Sequence, residues 1–228
     1  MTTAKTYTIN GVSLEIEDDP QSIAARAVVG ELKRGEYGLD KIDFAPGDVV
    51  LDIGAHVGIV SIYLAKKYPF LRIIAYEPMP VNFERLQRNV KSNGVQNIAG
   101  RSMGVSRDGR QIEMTIHRGN TGGATTWMKE LYLADHTVYK APTMMLDEIL
   151  DQEGIFEKLK LLKMDIEGME HEVLMGTDVL PLVDYLGIEM HTNKRLVQQG
   201  YTIQELWTHL LTFFPEDHIS FTAMRMAE

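Results

Sequence analysis

The chain has 228 residues, of which 44% are hydrophobic and 24% are charged, with a net charge of −9 and no cysteine. This composition is typical of a globular protein, and the lack of cysteine excludes disulfides, thiolate catalysis and cysteine-ligated zinc. The basic residues are scattered, which argues against nucleic acid as a partner. No apolar run approaches the ~18 residues that span a bilayer, and the N-terminus lacks the apolar stretch of a signal peptide. We therefore expect a cytoplasmic protein that does not contact membranes.

The first predicted elements are two short strands within residues 5–17, joined by an Asn10-Gly11 turn, a pair that favours tight hairpins. A helix is predicted over residues 20–35, with Pro20 in its first turn, where proline lacks only an N–H that the helix does not use. These elements make residues 1–45 an N-terminal extension or cap.

Strand and helix patterns alternate through residues 46–228. The run Val49–Ile53 is apolar throughout, which suits a strand that is buried on both faces of a parallel sheet. Residues 111–117 alternate as a hairpin strand does. The alternation predicts an α/β fold with a Rossmann-like, doubly wound, mostly parallel sheet, in a single domain over residues 1–228. The predicted core strands are 49–53, 71–76, 97–103, 159–164, 185–190 and 218–224, and the predicted helices are 59–67, 81–92, 145–152, 167–175 and 202–213.

A glycine turn follows the first core strand, in the segment DIGAHVG from Asp52 to Gly58. Gly54 allows a sharp turn and Gly58 allows close packing, while the next helix offers free N–H groups to an anion. The dinucleotide fingerprint has a glycine where this chain has His56. That side chain would obstruct a pyrophosphate, but it leaves room for the amino-acid end of a ligand, whose ammonium group Asp52 can bind. A helix-start turn without a ligand is the alternative.

An acidic residue, Glu77, follows the second core strand 25 residues after Asp52 (77 − 52). Acidic residues at about this distance bind ribose hydroxyls in nucleotide sites, and a carboxylate accepts hydrogen bonds from two hydroxyls at once. Alternatively, Glu77 only caps the helix that follows. An amino-acid end, a ribose and no pyrophosphate together describe S-adenosylmethionine.

Three segments of the chain resemble the FkbM family of class I methyltransferases. They are VVLDIGAHVGIVSIYLAKKYP from Val49, AYEPMPVNFERLQRNVKSNG from Ala75 and LLKMDIEGMEHEVLMG from Leu161. The DIEGME stretch from Asp165 is the most specific part, and the resemblance covers roughly residues 32–191. It implies S-adenosylmethionine as the methyl donor and O-methylation of a hydroxyl on a natural product, a sugar or a glycan.

The resemblance also implies which residues hold the donor. The glycine turn would line its methionine part and Glu77 its ribose, while the family often has asparagine at the position of His56. No acidic residue follows the third strand to meet the adenine, so we expect adenine to contact the backbone and Met103. The expected donor-binding residues are Asp52, Gly54, Ala55, His56, Gly58, Glu77, Met103, Gly104 and Asp165.

The fourth and fifth core strands end in acidic residues and a histidine. Asp165, Glu189 and His191 are expected to meet at one edge of the sheet, where one of them can remove the acceptor's hydroxyl proton as the oxygen attacks. Asp165 could instead cap the following helix. The same three side chains could hold a divalent ion such as Mg²⁺, which would lower the hydroxyl pKa in place of a base. We favour catalysis without a metal.

The acceptor site is expected in the least regular parts of the chain. The Gly/Thr-rich segment Arg118–Trp127 predicts a binding lid, since flexible polar loops with an aromatic residue often form one. Tyr37 is predicted as a second lid residue, and Glu167 as a further contact to the acceptor. A hairpin turn and packed rings are the alternative interpretation.

Other functions remain as hypotheses. A nucleotide-dependent oxidoreductase is disfavoured by the missing glycine fingerprint. A binding module without chemistry is disfavoured by Asp165, Glu189 and His191. N-methylation is disfavoured by the absence of an Asn-Pro-Pro-Tyr-like segment. The expected partner is a hydroxylated small molecule, and a homodimer is compatible with the sequence.

Overall fold

The N-terminal extension begins with a hairpin in the computed structural model, which describes residues 4–117, 119–126 and 136–226. Strands β1 (Lys5–Ile9) and β2 (Val12–Ile16) pair in antiparallel register. Asn10 and Gly11 turn between them with φ values of 46° and 82°, which confirms the predicted Asn-Gly turn.

Helix α1 (Ala24–Arg34) follows the hairpin. It begins four residues beyond Pro20 (24 − 20), so the predicted helix start at Pro20 was wrong. The helix ends at Gly35, whose φ of 73° satisfies the left-handed geometry of a helix C-terminus.

Strand and helix then alternate, interrupted by a group of short strands. The elements up to this interruption are β3 (Val49–Ile53), α2 (Ile59–Lys67), β4 (Arg72–Tyr76), α3 (Pro80–Ser92) and β5 (Ile98–Arg101). The interruption contains β6 (Gly104–Val105), β7 (Ile112–His117), β8 (Asn120–Thr125), β9 (His136–Ala141) and β10 (Thr143–Met144). The remaining elements are α4 (Leu146–Glu153), β11 (Leu159–Met164), α5 (Glu170–Met175), β12 (Val183–Thr192), α6 (Lys194–Gln198), α7 (Ile203–Leu210) and β13 (Ile219–Arg225).

The main sheet has six strands in the order β13-β12-β11-β3-β4-β5. Every neighbouring pair among these strands is parallel, which confirms the predicted Rossmann-like α/β fold. The chain order reverses between β3 and β11, and such a switch point leaves a crevice at the carboxyl ends of the strands. The glycine turn after β3 and the acidic residues after β11 therefore lie at this crevice.

Both faces of the sheet are buried, as the apolar run in β3 predicts. Val50 packs in one cluster with Ile62 of α2, whereas Leu51 packs in a second cluster with Leu150 of α4. Successive strand residues point to opposite faces, so a strand covered on both sides needs apolar residues in succession. No helix in the described parts of the chain is long and apolar enough to cross a membrane.

A three-stranded antiparallel sheet, β8-β7-β9, lies beside the main sheet. Strand β8 occupies part of the Gly/Thr-rich segment, so residues 120–125 form a strand and not the predicted flexible loop. Its glycines allow close contacts: a Cβ on Gly122 would lie 3.2 Å from the Cβ of Ala24, and one on Gly123 would lie 2.6 Å from the Nδ2 of Asn120. Glycine here serves close packing rather than loop flexibility.

The end of β3 meets the end of β11 at Gly54. Its φ is 78°, and a Cβ built on it would lie 1.9 Å from the carbonyl oxygen of Asp165. Gly47 has a similar positive φ of 95°, but no atom lies within 4 Å of a Cβ built on it. Any other residue would therefore be strained in its backbone at Gly47 but would not collide with a neighbouring atom.

We expect Gly54→Ala to lower the free energy of unfolding by about 3 kcal/mol or more, from backbone strain plus overpacking. Gly47→Ala is the matched control and should cost only about 1 kcal/mol. Urea denaturation of both variants measures the difference. Equal losses would contradict a close approach at Gly54.

Candidate active site

A pocket opens at the carboxyl edge of the main sheet, where the strand order predicts one. It encloses about 1060 Å³, including the part that is open to solvent. Helix α1 and strands β7 and β8 form its outer wall. The residues from sequence analysis that line it are Tyr37, Gly54, Ala55, His56, Glu77, Met103, Gly104, Asp165, Glu167, Glu189 and His191.

The glycine turn forms the floor of the pocket. The N–H of Gly54 donates to the carbonyl of Tyr76 at 3.0 Å, which ties the turn to the end of β4. Gly58 lies below the floor with a φ of 88°, and a Cβ on it would lie 3.1 Å from the Cγ of Leu86. Gly58 therefore serves close packing between α2 and α3.

Asp52 lies behind the pocket and not on its wall. It is 0% exposed, and its Oδ2 accepts a hydrogen bond from the Ser61 hydroxyl at 2.6 Å. Its Oδ1 lies 3.3 Å from the Nζ of Lys163. This placement does not fit the predicted contact between Asp52 and a ligand's ammonium group; Asp52 acts on the pocket through Lys163.

Glu77 lies at the end of β4, and its buried carboxylate has backbone partners. Oε2 accepts from the N–H of His56 at 2.8 Å, and Oε1 accepts from the N–H of Met79 at 3.0 Å. Burial raises the pKa of Glu77 to about 7, although these two hydrogen bonds favour the ionised form. The carboxylate joins the glycine turn to β4 and lines the pocket.

The His56 side chain connects the turn to the outer wall. Its Nε2 lies 2.8 Å from the Oγ1 of Thr121 on β8, and Thr121 donates to Asp18 of the N-terminal extension at 2.9 Å. Burial lowers the pKa of His56 to about 4, even though Asp18 raises it. At neutral pH the ring is therefore an uncharged link between three parts of the chain.

Lys163, near the end of β11, was missed by the sequence analysis. Its buried ammonium donates to the carbonyl of Gly54 at 2.9 Å and lies 3.7 Å from the Oδ2 of Asp165. Burial alone would lower its pKa, but Asp52 and Asp165 raise it. A lysine inside the apolar run LKLLKM is the signal that could have identified it, because a buried lysine needs partners.

His191 lies among carboxylates. Its Nδ1 is 3.0 Å from the Oε1 of Glu170, its Nε2 is 3.3 Å from the Oε2 of Glu167, and Asp165 lies 4.0 Å away. Burial opposes the charged form, but these carboxylates raise the pKa of His191 to about 11. An imidazolium has no free lone pair, so this environment does not suit the predicted role of His191 as a base.

Glu170, which the sequence analysis also did not identify, stabilises the turn between β11 and α5. It accepts from the N–H groups of Ile166 at 2.9 Å and Gly168 at 3.0 Å. The turn contains two positive φ values, 55° at Glu167 and 106° at Gly168. Helix α5 therefore begins at Glu170 rather than at the predicted residue 167, and Glu170, not Asp165, binds the free N–H groups before it.

Glu189 lies on β12 with its carboxylate on the pocket wall. It is only 9% exposed, and no group in the described ranges donates a hydrogen bond to it. Burial, followed by repulsion from Asp165, raises the pKa of Glu189 to about 7. Asp165 is the more open of the two, with its side chain 19% exposed.

Tyr37 is part of the buried wall and is not a lid. It is 6% exposed, and its hydroxyl donates to the Oε2 of Glu31 at 2.7 Å. Gly104 is fixed at the opposite side, where its N–H donates to the carbonyl of Pro142 at 2.9 Å. Trp127, the other predicted lid aromatic, lies outside the described residues.

One group of side chains in the described ranges has the spacing of a metal site. Asp165, Glu167 and His191 each offer a ligand atom within 4.8 Å of the others, so Glu167 replaces Glu189 of the predicted set. The carboxylates raise the pKa of His191 to about 11, so its ring would have to lose a proton before it could bind a metal.

A parallel α/β sheet with a glycine turn after β3, a buried carboxylate after β4 and a pocket at the switch point has the arrangement of nucleotide-binding α/β proteins, the class to which S-adenosylmethionine-dependent methyltransferases belong. The model of the FkbM methyltransferase domain matches residues 52–218. The chain belongs to the FkbM methyltransferase family.

Named relatives agree with this assignment. Methyltransferase 1 of Beauveria bassiana is 25% identical over 173 residues, covering 68% of this chain and 69% of that protein. The 31-O-demethyl-FK506 methyltransferase FkbM of Streptomyces tacrolimicus is 27% identical over 165 residues, covering 60% and 62%. The matches thus span about two thirds of each relative. Among solved structures, the precorrin-6y C5,15-methyltransferase of Geobacter metallireducens has a TM-score of 0.46 at 16% identity, covering 85% of this chain and 79% of that one.

We expect Glu170→Gln to lower the free energy of unfolding by about 2–4 kcal/mol, because it leaves the buried His191 without its carboxylate partner. Glu84 on α3 pairs with Arg88 at the surface, where the two side chains are 67% and 50% exposed. Glu84→Gln is therefore the matched control and should cost about 1 kcal/mol or less. Chemical denaturation measures both, and equal losses would argue against a clamping role for Glu170.

The affinity for S-adenosylhomocysteine should rise as the pH increases through about 7, the pKa of Glu77. Only the ionised carboxylate can accept from both ribose hydroxyls. Glu77→Gln should weaken binding by about tenfold or more and remove this pH dependence. Isothermal titration across the pH range measures it, with Glu84→Gln, an exposed position on α3, as control. An unchanged profile in Glu77→Gln would exclude the role.

Proposed function

We propose that this protein transfers a methyl group from S-adenosylmethionine to a hydroxyl oxygen of a small molecule. The observation that carries the proposal is the buried Glu189 carboxylate, which faces the pocket beside Asp165. A methyl transfer to an alcohol needs a group that takes up the hydroxyl proton. The name of the Streptomyces relative, a 31-O-demethyl-FK506 methyltransferase, supports oxygen as the acceptor atom.

The pocket residues fit the donor. The backbone passes close at Gly54, where a Cβ would collide with the neighbouring strand, and leaves room for the methionine part. Glu77 offers carboxylate oxygens for the ribose, and Met103 and Gly104 line the side assigned to the adenine. When bound, S-adenosylmethionine supplies an electrophilic methyl group on a sulfonium.

We assign the proton-accepting role to Glu189. Its pKa of about 7 lies near the working pH, where a general base is most effective. Asp165 is the alternative base, but its Oδ2 lies 3.7 Å from the Lys163 ammonium, with which it forms an ion pair. The fixed strands β11 and β12 hold both carboxylates in place, and such rigid positioning contributes to the rate through orientation.

Metal-assisted transfer is a second candidate, favoured by the spacing of Asp165, Glu167 and His191. A divalent ion there would displace the proton from His191 and lower the pKa of the acceptor hydroxyl. Activity that is lost on chelation and restored by Mg²⁺ would favour it. Activity that persists in the chelator would favour Glu189 as the base.

A nucleotide-dependent oxidoreductase is the less favoured alternative. The His56 side chain, which lies 2.8 Å from Thr121 of β8, stands where the dinucleotide fingerprint has a glycine. Competition between NADH and S-adenosylhomocysteine for the purified protein separates the two functions, and we expect NADH not to compete.

The direct test incubates the protein with methyl-deuterated S-adenosylmethionine and a panel of hydroxylated small molecules. We expect a product whose mass increases by one deuterated methyl group and whose NMR spectrum shows an O–CD3 linkage. Glu189→Gln should lower kcat by about 10²–10⁴-fold while the affinity for S-adenosylhomocysteine is retained. Full activity in Glu189→Gln would exclude it as the base, and N-methylated products would overturn the O-methyltransferase assignment.

A further inference from the structure

The pocket wall carries more negative than positive charge. Five carboxyl groups and two cationic side chains line it in the described residues; they are Glu31, Glu77, Asp165, Glu167 and Glu189, against Lys163 and His191. An excess of carboxylates in a site shielded from water creates a field that favours a cationic ligand.

Both cations already have anionic partners behind the wall. The Lys163 ammonium lies 3.3 Å from the Oδ1 of Asp52, which is fully buried, and it donates to the Gly54 carbonyl. The His191 ring lies 3.0 Å from Glu170, which is also fully buried. Each cation is shared with the wall, because Lys163 also lies 3.7 Å from Asp165 and His191 lies 3.3 Å from Glu167. Two cations thus face seven carboxyl groups, the five on the wall together with Asp52 and Glu170, and the wall keeps an excess of carboxylates.

Two of the wall carboxylates lie side by side. Strands β11 and β12 pair in parallel with Met164 opposite Ile188, so the next residues, Asp165 and Glu189, are neighbours across strands that are about 4.8 Å apart. Neither carboxylate accepts a hydrogen bond from any group within the described ranges. Asp165 lies within 4.0 Å of Lys163 and His191, whereas Glu189 forms no ion pair in the described residues. Carboxylates on neighbouring strands repel each other, and a ligand cation beside them relieves the repulsion.

The position of Asp165 relates this pair to the methyl donor. Its carbonyl oxygen is the atom that a Cβ on Gly54 would strike, so Asp165 adjoins the turn assigned to the donor's methionine part. S-adenosylmethionine has a permanent positive charge at sulfur, and S-adenosylhomocysteine, the product, does not. The two molecules otherwise differ by one methyl group.

We propose that Asp165, supported by Glu189, selects the donor by its sulfonium charge, so that the protein binds S-adenosylmethionine more tightly than S-adenosylhomocysteine. The inference rests on the donor assigned above. It has a functional consequence: the loss of charge on transfer weakens binding of the product, which favours its release and limits product inhibition.

The test is isothermal titration of the purified protein with both ligands separately, in a chelating buffer at about pH 8, above the pKa of about 7 of Glu189. We expect the wild-type protein to bind S-adenosylmethionine about tenfold more tightly, the effect of one partly compensated charge in a shielded site. Asp165→Asn preserves the shape of the side chain and removes its charge. It should bring the two dissociation constants to within about twofold.

Two further measurements sharpen the test. Sinefungin carries an ammonium group where the donor carries its methylsulfonium, so its affinity should fall in Asp165→Asn together with that of S-adenosylmethionine. Glu189→Gln should reduce the affinity ratio in part, and it decides the question if Asp165→Asn does not fold. Asp151→Asn, at an exposed position on α4, is the matched control and should leave the ratio unchanged.

The outcomes separate this inference from the proposed function. Binding of both ligands with a ratio near one in the wild type, or with an unchanged ratio in Asp165→Asn and Glu189→Gln, would overturn the inference and leave the donor assignment standing. An equal loss of affinity for both ligands in Asp165→Asn would show a distorted glycine turn and also overturn it. Binding of neither ligand to the wild type would overturn the donor assignment itself.

Discussion

The site depends on one buried cation, Lys163. Its ammonium joins the carbonyl of Gly54 to the carboxylates of Asp52 and Asp165, and so links the carboxyl ends of β3 and β11 at the switch point. A buried charge is tolerated only with such partners. The two strands that meet at the floor of the pocket are thus held in register by electrostatics as well as by backbone pairing.

The pocket is assembled from parts that lie far apart in the sequence. His56 of the glycine turn contacts Thr121 of β8, which in turn contacts Asp18 of the N-terminal extension. Through these buried contacts, α1 and the three-stranded sheet close over the end of the main sheet. The elements outside the alternating core therefore form the outer wall of the pocket, and the core forms its floor.

Chemically similar side chains have different tasks here because their surroundings differ. Glu170 is surrounded by N–H groups and His191, and its pKa is lowered despite burial. Glu189 lacks such partners, and burial raises its pKa to about 7. One carboxylate thus serves as a permanent anion that shapes a turn, and the other is suited to proton transfer. A shifted pKa of this kind marks a functional group only together with its position on a pocket wall.

The sequence by itself determined the fold class, the glycine turn, Glu77 and the family, because these follow from local patterns: apolar runs, turn residues and short motifs. It also placed Asp165, Glu189 and His191 at one edge of the sheet. Only the tertiary structure decided which of them is free to act, since the charge state of His191 depends on Glu170 across 21 residues. Likewise, the composition of the segment with the β8 glycines indicated a loop. Only the tertiary structure shows that this strand needs glycine, because Gly122 packs closely against Ala24 of α1.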